Sequence, residues 1–246
     1  MYLPSHFEET RPEVLHALLR SHPLGLLITQ GVNGLAANSI PFLIDPARGP
    51  HGTLRAHVAR ANPVWREART DSESLVVFQG PQAYISPGWY ASKAETGRVV
   101  PTWNYVMVQA RGRLKLIDDV TWLRQLVGEL TERHEAARAV PWAVADAPAD
   151  YIATMLRAIV GLEIELVSLS GKWKVSQNRP AADREGVIRG LGEPGVLGDA
   201  LAMAAQVRHP GEFDASPPRL FTLKPSATND SGPYRCPPAT PLPPSS

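Results

Sequence analysis

Three short stretches carry side chains that a plain hydrophobic core does not need. The first is His57-Val58-Ala59-Arg60-Ala61-Asn62-Pro63-Val64-Trp65, where a strand pattern gives way to a helix start. Asn62 suits the cap and Pro63 the first helical position. Such a junction can present His57, Arg60 and free backbone amides to one anion. It can equally be a plain cap with Trp65 in the core. The second joins Tyr84-Ile85-Ser86-Pro87-Gly88-Trp89-Tyr90 to Val99-Val100-Pro101-Thr102-Trp103-Asn104-Tyr105, and holds five of the twelve Trp and Tyr residues within 22 positions. Flat rings beside Thr and Asn suit a planar heteroaromatic ligand, stacked on its face and hydrogen-bonded at its edge. An aromatic core or a dimer interface fits the same composition. The third, Gly171-Lys172-Trp173-Lys174-Val175-Ser176-Gln177-Asn178-Arg179, sets three cations and three uncharged polar groups around one Trp. That is chemistry for phosphate or polyol contacts, and also the composition of a solvated basic loop.

Other patterns carry no chemistry. Gly190-Leu191-Gly192-Glu193-Pro194-Gly195 matches GxGxxG, but no strand precedes it and no βαβ unit has room to follow. Gly171-Lys172 runs into Trp173 where a phosphate-binding loop needs Ser or Thr. His134-Glu135 lacks a second histidine four positions after the first, no Gly-x-Ser-x-Gly elbow occurs, and the seven histidines show no metal-ligand spacing. No metal site is expected.

The elements that must position the three stretches follow from periodicity. Val14, Leu15, Leu18 and Leu19 predict a helix over Glu13–Ser21, and 24–44 reads as a hairpin around Gly31-Val32-Asn33-Gly34. Thr53–Val58, Leu75–Gln79 and Gln82–Ile85 read as strands, and Val99–Ile117 as a long strand interrupted near Ala110. Helices are predicted from Asp119 and over Ala149–Val160. Leu162–Leu169 alternates into a strand with Glu163, Glu165 and Ser168 on a wet face, and 91–98 reads as a mobile loop. Further helices are expected over Arg179–Leu191 and Val196–Val207. Strands in neighbouring antiparallel pairs, without strand–helix–strand alternation, predict an α+β protein built on a small antiparallel barrel with peripheral helices.

Composition bounds the rest. The chain has 246 residues, with 25 Lys+Arg against 24 Asp+Glu. That balance excludes a protein that binds nucleic acid mainly by neutralising phosphates. Ten of the 24 prolines fall in 209–246, so a domain over 1–208 and a disordered proline-rich tail over 209–246 are expected. The single cysteine, Cys236, excludes an intrachain disulfide. With neither a signal-peptide pattern nor a long apolar run, the expected compartment is the cytoplasm.

At the same three stretches the sequence resembles the PaiB-like family of FMN-binding negative transcriptional regulators. The likeness starts at Met1-Tyr2-Leu3-Pro4 and Phe7, and continues through His57 and Ala59-Arg60-Ala61-Asn62-Pro63. It is strongest at Val77-Phe78-Gln79-Gly80-Pro81, Tyr84-Ile85-Ser86-Pro87, Trp89-Tyr90 and Val100-Pro101-Thr102-Trp103-Asn104-Tyr105. It closes at Gly161-Leu162-Glu163-Ile164 and Lys172, Lys174 and Ser176-Gln177-Asn178-Arg179, and covers about residues 1–192. The resemblance implies a split β-barrel that binds FMN as a homodimer, with cofactor sites between subunits. By it, Asn38, Ser39 and Ile40 would run along the flavin, and His57, Arg60 and Asn62 would contact its phosphate. Thr102, Trp103 and Asn104 would face the cofactor from the long strand. Lys172, Gln177 and Asn178 would approach from the C-terminal segment, of the same subunit or its partner. The chain departs from pyridoxamine-phosphate oxidase relatives in having Arg60 as the only cation of its first cluster. An FMN-dependent oxidoreductase acting on a small molecule is the alternative, with Tyr90, Tyr105 and His57 as candidate proton donors and no catalytic residue assigned. Direct DNA contact is weakly supported, since the 119–136 helix mixes Arg124 and Arg133 with Glu129, Glu132 and Glu135.

Overall fold

The computed structural model describes residues 1–196 and 198–213. A two-residue strand, β1 (Glu8–Glu9), precedes helix α1 (Pro12–Ser21), which has Pro12 at its first position. The hairpin β2 (Leu24–Gly31) and β3 (Gly34–Pro41) pairs from Leu24 opposite Pro41 to Gly31 opposite Gly34. Strands β4 (Leu43–Asp45) and β5 (Thr53–Ala59) lead to a single helical turn, α2 (Val64–Glu67), and then to β6 (Glu73–Ile85). Helix α3 (Ser92–Thr96) stands between β6 and β7 (Thr102–Ile117), in the segment expected to be a loop. Helices α4 (Val120–Glu135) and α5 (Ala149–Arg157) precede β8 (Ile159–Lys174), and α6 (Ala181–Leu191) and α7 (Ala200–Arg208) follow it.

The eight strands of the described residues form one antiparallel sheet ordered β3-β2-β6-β7-β8-β5-β4, with β1 on β8. The ring does not close: β3, at one end of this order, approaches β5 without pairing. The result is a split β-barrel of the α+β class. Its interior holds Leu27, Val76, Phe78, Val106, Val108, Leu54, Leu162 and Ile164, all fully buried, with Leu15, Leu18 and Leu19 of α1 packed on them. Gly80 allows the close approach of that helix, since a Cβ there would stand 2.7 Å from Leu18 Cδ1.

Two irregularities set which side chains face inward. The stretches 75–79 and 82–85 are one strand, not two, with a register shift between Gln79 and Gln82. In β8, Ser168 pairs with Arg111 and Leu166 with Gly112, leaving Val167 as the extra residue of a bulge, 53% exposed. The interruption expected near Ala110 is absent: β7 runs unbroken from Thr102 to Ile117, and the extra residue lies on the neighbouring strand. Residues 160, 162, 164 and 166 point inward before the bulge, and 171 and 173 after it. Trp173 consequently enters the core while Lys172 and Lys174 face outward.

Several boundaries differ from the expected ones. Helix α5 stops at Arg157, and β8 starts at Ile159 and runs to Lys174, absorbing the start of the third stretch. Glu163 is buried rather than wet, because Arg48 covers it with two hydrogen bonds of 3.0 and 3.1 Å. The packed chain also passes the expected limit at 208. Gln206 Nε2 donates to the Glu212 carbonyl, and Phe213 packs edge-on against Trp173 at 5.9 Å. The rest of the expected tail, from 214, lies outside the described residues. Among the described residues no helix is long and apolar enough to cross a membrane.

Candidate functional site

The open seam of the barrel forms a cleft of about 490 Å3 between β3 and the turn joining β5 to α2. Its walls include Thr29, Ala36, Asn38, Asn62, Val64 and Glu67. One hydrogen bond spans the seam: Asn62 Nδ2 donates to Asn38 Oδ1 at 3.0 Å. Asn62 Oδ1 accepts from the Val64 amide at 2.9 Å, so the same side chain starts α2 and ties it to β3. The helix begins one position later than expected, at Val64, but Asn62 still bonds its first amide.

The other residues of the first cluster point elsewhere. Strand alternation separates Asn38, which faces the cleft, from Ser39, which is on the outer surface of the sheet; Ile40 lies in the core. His57 shares its face of β5 with Arg55, whose guanidinium bonds Glu129 of α4, so both lie beneath that helix. The His57 Nδ1 is buried without a hydrogen-bond partner among the described residues, and burial holds the imidazole below its ordinary pKa. Arg60 is fully engaged: its Nη1 and Nη2 fork onto Asp118 at 3.0 and 2.5 Å, and its Nε and Nη2 reach the Arg157 and Ile159 carbonyls. That arrangement welds the turn to the start of β8. Among the described residues no Lys or Arg lines the cleft.

The second and third stretches meet on the outer face of β6, β7 and β8. Trp103 is 54% exposed and packs edge-on against Tyr84, its cross-strand partner, at 6.1 Å. Tyr105 pairs with Lys174, and both Lys172 and Lys174 lie beside its ring at 5.3 and 5.9 Å. Lys174 Nζ donates to Thr102 Oγ1 and the Trp103 carbonyl, each at 2.5 Å. Asn104 has the opposite orientation. It is buried, and its Nδ2 donates to Ser176 Oγ at 2.9 Å. Ser176 adopts φ +65°, a turn conformation this bond helps to hold. Gln177 folds back on its own turn, accepting from the Val175 amide at 2.8 Å and donating to the Trp173 carbonyl. Asn178 is exposed.

Sequence reasoning passed over Asp183. It is buried, and its two oxygens accept from the amide and hydroxyl of Ser92, anchoring α3 to α6. Only its position in a helix was legible. Gly190, rejected as part of a nucleotide fingerprint, has a packing role: a Cβ there would collide with the Trp89 ring.

Split barrel, open seam and aromatic outer face together define a flavin-binding type of fold. Residues 1–168 match the model of the family described as "Putative FMN-binding domain", and the chain belongs to that family. FMN is its cofactor. An uncharacterized protein of Emericella nidulans is 35% identical over 87% of this chain and 98% of its own. The Protease synthase and sporulation protein PAI 2 of Bacillus subtilis is 30% identical over 78% of this chain and 89% of its own. Among solved structures, the FAD and heme binding protein from Mycobacterium smegmatis shares the fold, with a TM-score of 0.50, 18% identity, and coverage of 78% of this chain and 83% of that one.

The cleft fits FMN in part. Its volume lies within the roughly 300–1,000 Å3 of small-molecule sites, and its facing amides suit the edge of a heteroaromatic ring or a polyol. A phosphate finds no cation there among the described residues, and Glu67 is among the walls. The aromatic and cationic groups stand on the outer sheet face instead.

Proposed function

We propose that the protein is an FMN-binding regulator of the PaiB type, acting as a homodimer whose flavin lies between the seam cleft of one copy and the outer sheet face of the other. The observation that carries this reading is the cleft bridged by Asn38 and Asn62, a concave polar edge on an open barrel seam. In it, Asn38 and Asn62 hold the flavin edge, while Ile40, His57 and Arg60 fix the walls from behind. Thr102, Trp103, Lys172, Gln177 and Asn178 belong to the second copy's contribution.

Two features support a second copy. Ala59, at the cleft end of β5, stands opposite Ile159, whereas Lys174 lies fifteen residues further along β8. The two regions therefore lie at opposite ends of β8. In addition, β2 and β3 present Leu24 (64% exposed), Leu26 and Leu35 on the outer face of the same sheet. Apolar surface of that kind marks an association site, and the same patch on both copies is the usual dimer geometry.

Bound FMN supplies one- or two-electron redox chemistry, which suits either a redox-responsive regulator or an oxidoreductase. The regulatory reading is favoured by the Bacillus subtilis relative, which is named a protease synthase and sporulation protein. Charge disfavours direct DNA contact: the net value is +1, and α4 carries Glu129, Glu132 and Glu135 beside its arginines. Regulation through a partner protein or the flavin state fits better.

Titration with FMN, followed by quenching of flavin fluorescence, tests the site. Uptake is expected in the wild type, with at least tenfold weaker binding in Asn62→Ala. No uptake at tens of micromolar FMN overturns the proposal. Sedimentation of Leu26→Glu tests the dimer, with a monomer expected. Mixing holo-protein with NADH and NADPH under anaerobic conditions separates the two functions, since flavin bleaching would mark an oxidoreductase.

A further inference from the structure

Three cations around the barrel wall are paired with carboxylates: Arg48 with Glu163, Arg55 with Glu129, and Arg60 with Asp118. The outer face at the end of β8 is different. Lys172 is only 6% exposed, and no carboxylate lies within ion-pair distance among the described residues. Its ammonium donates to the Tyr2 carbonyl at 2.9 Å. Lys174, on the same face, has only the neutral acceptors Thr102 Oγ1 and the Trp103 carbonyl among the described residues. Arg179 stacks on Tyr90 at 4.6 Å and likewise forms no ion pair among the described residues. The nearest acids do not compensate. Glu8 is opposite Lys172 in register but is exposed and unpaired with it, and both oxygens of Asp183 are taken by Ser92.

Such an arrangement is costly. Lysine is almost never buried without a partner, and three neighbouring cations repel one another. Burial, with Lys172 and Arg179 alongside, holds the Lys174 ammonium below the ordinary lysine pKa. An anion would relieve the repulsion and use the N–H donors that carbonyls and hydroxyls leave over.

We infer that Lys172, Lys174 and Arg179 form an anion-binding site for the phosphate or carboxylate group of a planar small molecule, whose body lies along Trp103 and Tyr84. The anion is either the phosphate of a flavin held in a second copy's cleft or the charged group of a separate ligand beside it. The first source rests on the proposed FMN reading; the site itself does not.

Lys174→Met and Arg179→Met test it against the wild type, with Tm measured to show that each variant is folded. FMN and riboflavin affinities are compared by fluorescence titration, and inorganic phosphate and benzoate by calorimetry. At least a tenfold loss of the preference for FMN over riboflavin, restored in Lys174→Arg, supports the site and identifies the flavin phosphate. An unchanged preference with lost phosphate or benzoate binding supports the site and identifies a separate anion. If both variants match the wild type in both measurements, the inference is overturned. A wild type that takes up neither flavin defeats the FMN reading alone, since the phosphate and benzoate titrations still decide the anion site.

Discussion

Arg60 and Lys174 both looked like phosphate ligands, yet they stand in opposite electrostatic situations. Arg60 is consumed by the fold. It has a bidentate carboxylate and two carbonyls, and the turn that carries Asn62 is rigid because of it. Lys174 has neutral acceptors only, with two further cations beside it. A satisfied cation holds structure together; an unsatisfied one keeps its charge for something else. The difference separates a positioning region, around the seam, from a recognition region, at the end of β8.

The most disruptive way to break this contrast is to insert one residue between Ser170 and Gly171. The bulge at Val167 already takes up the one extra residue of β8, so a second shifts every later β8 side chain to the opposite face, driving Lys172 and Lys174 inward and Trp173 outward. Thermal unfolding followed by circular dichroism should show a larger loss of Tm than any point substitution below. An insertion protein as stable as the wild type with Trp173 still buried would refute the parity argument.

Arg60→Met and Lys174→Met sharpen the contrast directly. The first should lower Tm, because it strips Asp118 and two backbone carbonyls of their donor. The second should leave Tm unchanged or raise it, because it removes unbalanced charge. Equal losses of Tm in the two variants would erase the distinction. The Arg60 effect should also fade in acid. Hydrogen bonds from Arg60 hold the Asp118 carboxyl below the usual carboxylate range, so the stabilisation is present above the unfolded-state pKa and lost as pH falls through the folded one.

Asn62→Ala should cost about 1 kcal/mol as the loss of a cap, read from chemical denaturation, in addition to its effect on FMN affinity. The smallest expected effect concerns His57. Burial lowers its folded-state pKa, so the unfolded chain binds the proton more readily. Stability should therefore be full above about pH 6.5, the unfolded value, and decline as pH falls below it. His57→Phe should flatten that part of the stability profile, and an unchanged slope would show that another group titrates there.

Much of the frame was legible locally. Pro12 with Val14, Leu15, Leu18 and Leu19 marks α1, Gly31 to Gly34 marks the hairpin turn, and Asn62-Pro63 marks the start of α2, because each depends on near neighbours in the chain. The site was legible less evenly. Asn62 was found together with its role, but Asn38, Ser39 and Ile40 were grouped as one strand although alternation sends them to different surroundings. Asn104 looked like an exposed edge group and is buried on Ser176. Glu163 looked wet and is covered by Arg48, whose position 115 residues away no local pattern reveals.

Sequence alone determined most of the helices and strands, the antiparallel character of the sheet and the three stretches where chemistry is concentrated, since propensity, periodicity and capping act over a few residues. Only the tertiary structure decided which of those side chains meet. Two shifts of register, at Gln79/Gln82 and Val167, turn Tyr84, Lys172 and Lys174 toward the same outer face as Trp103. An extra residue in one strand is defined by its neighbour's pairing, so its effect on every later side chain appears only once the sheet is assembled.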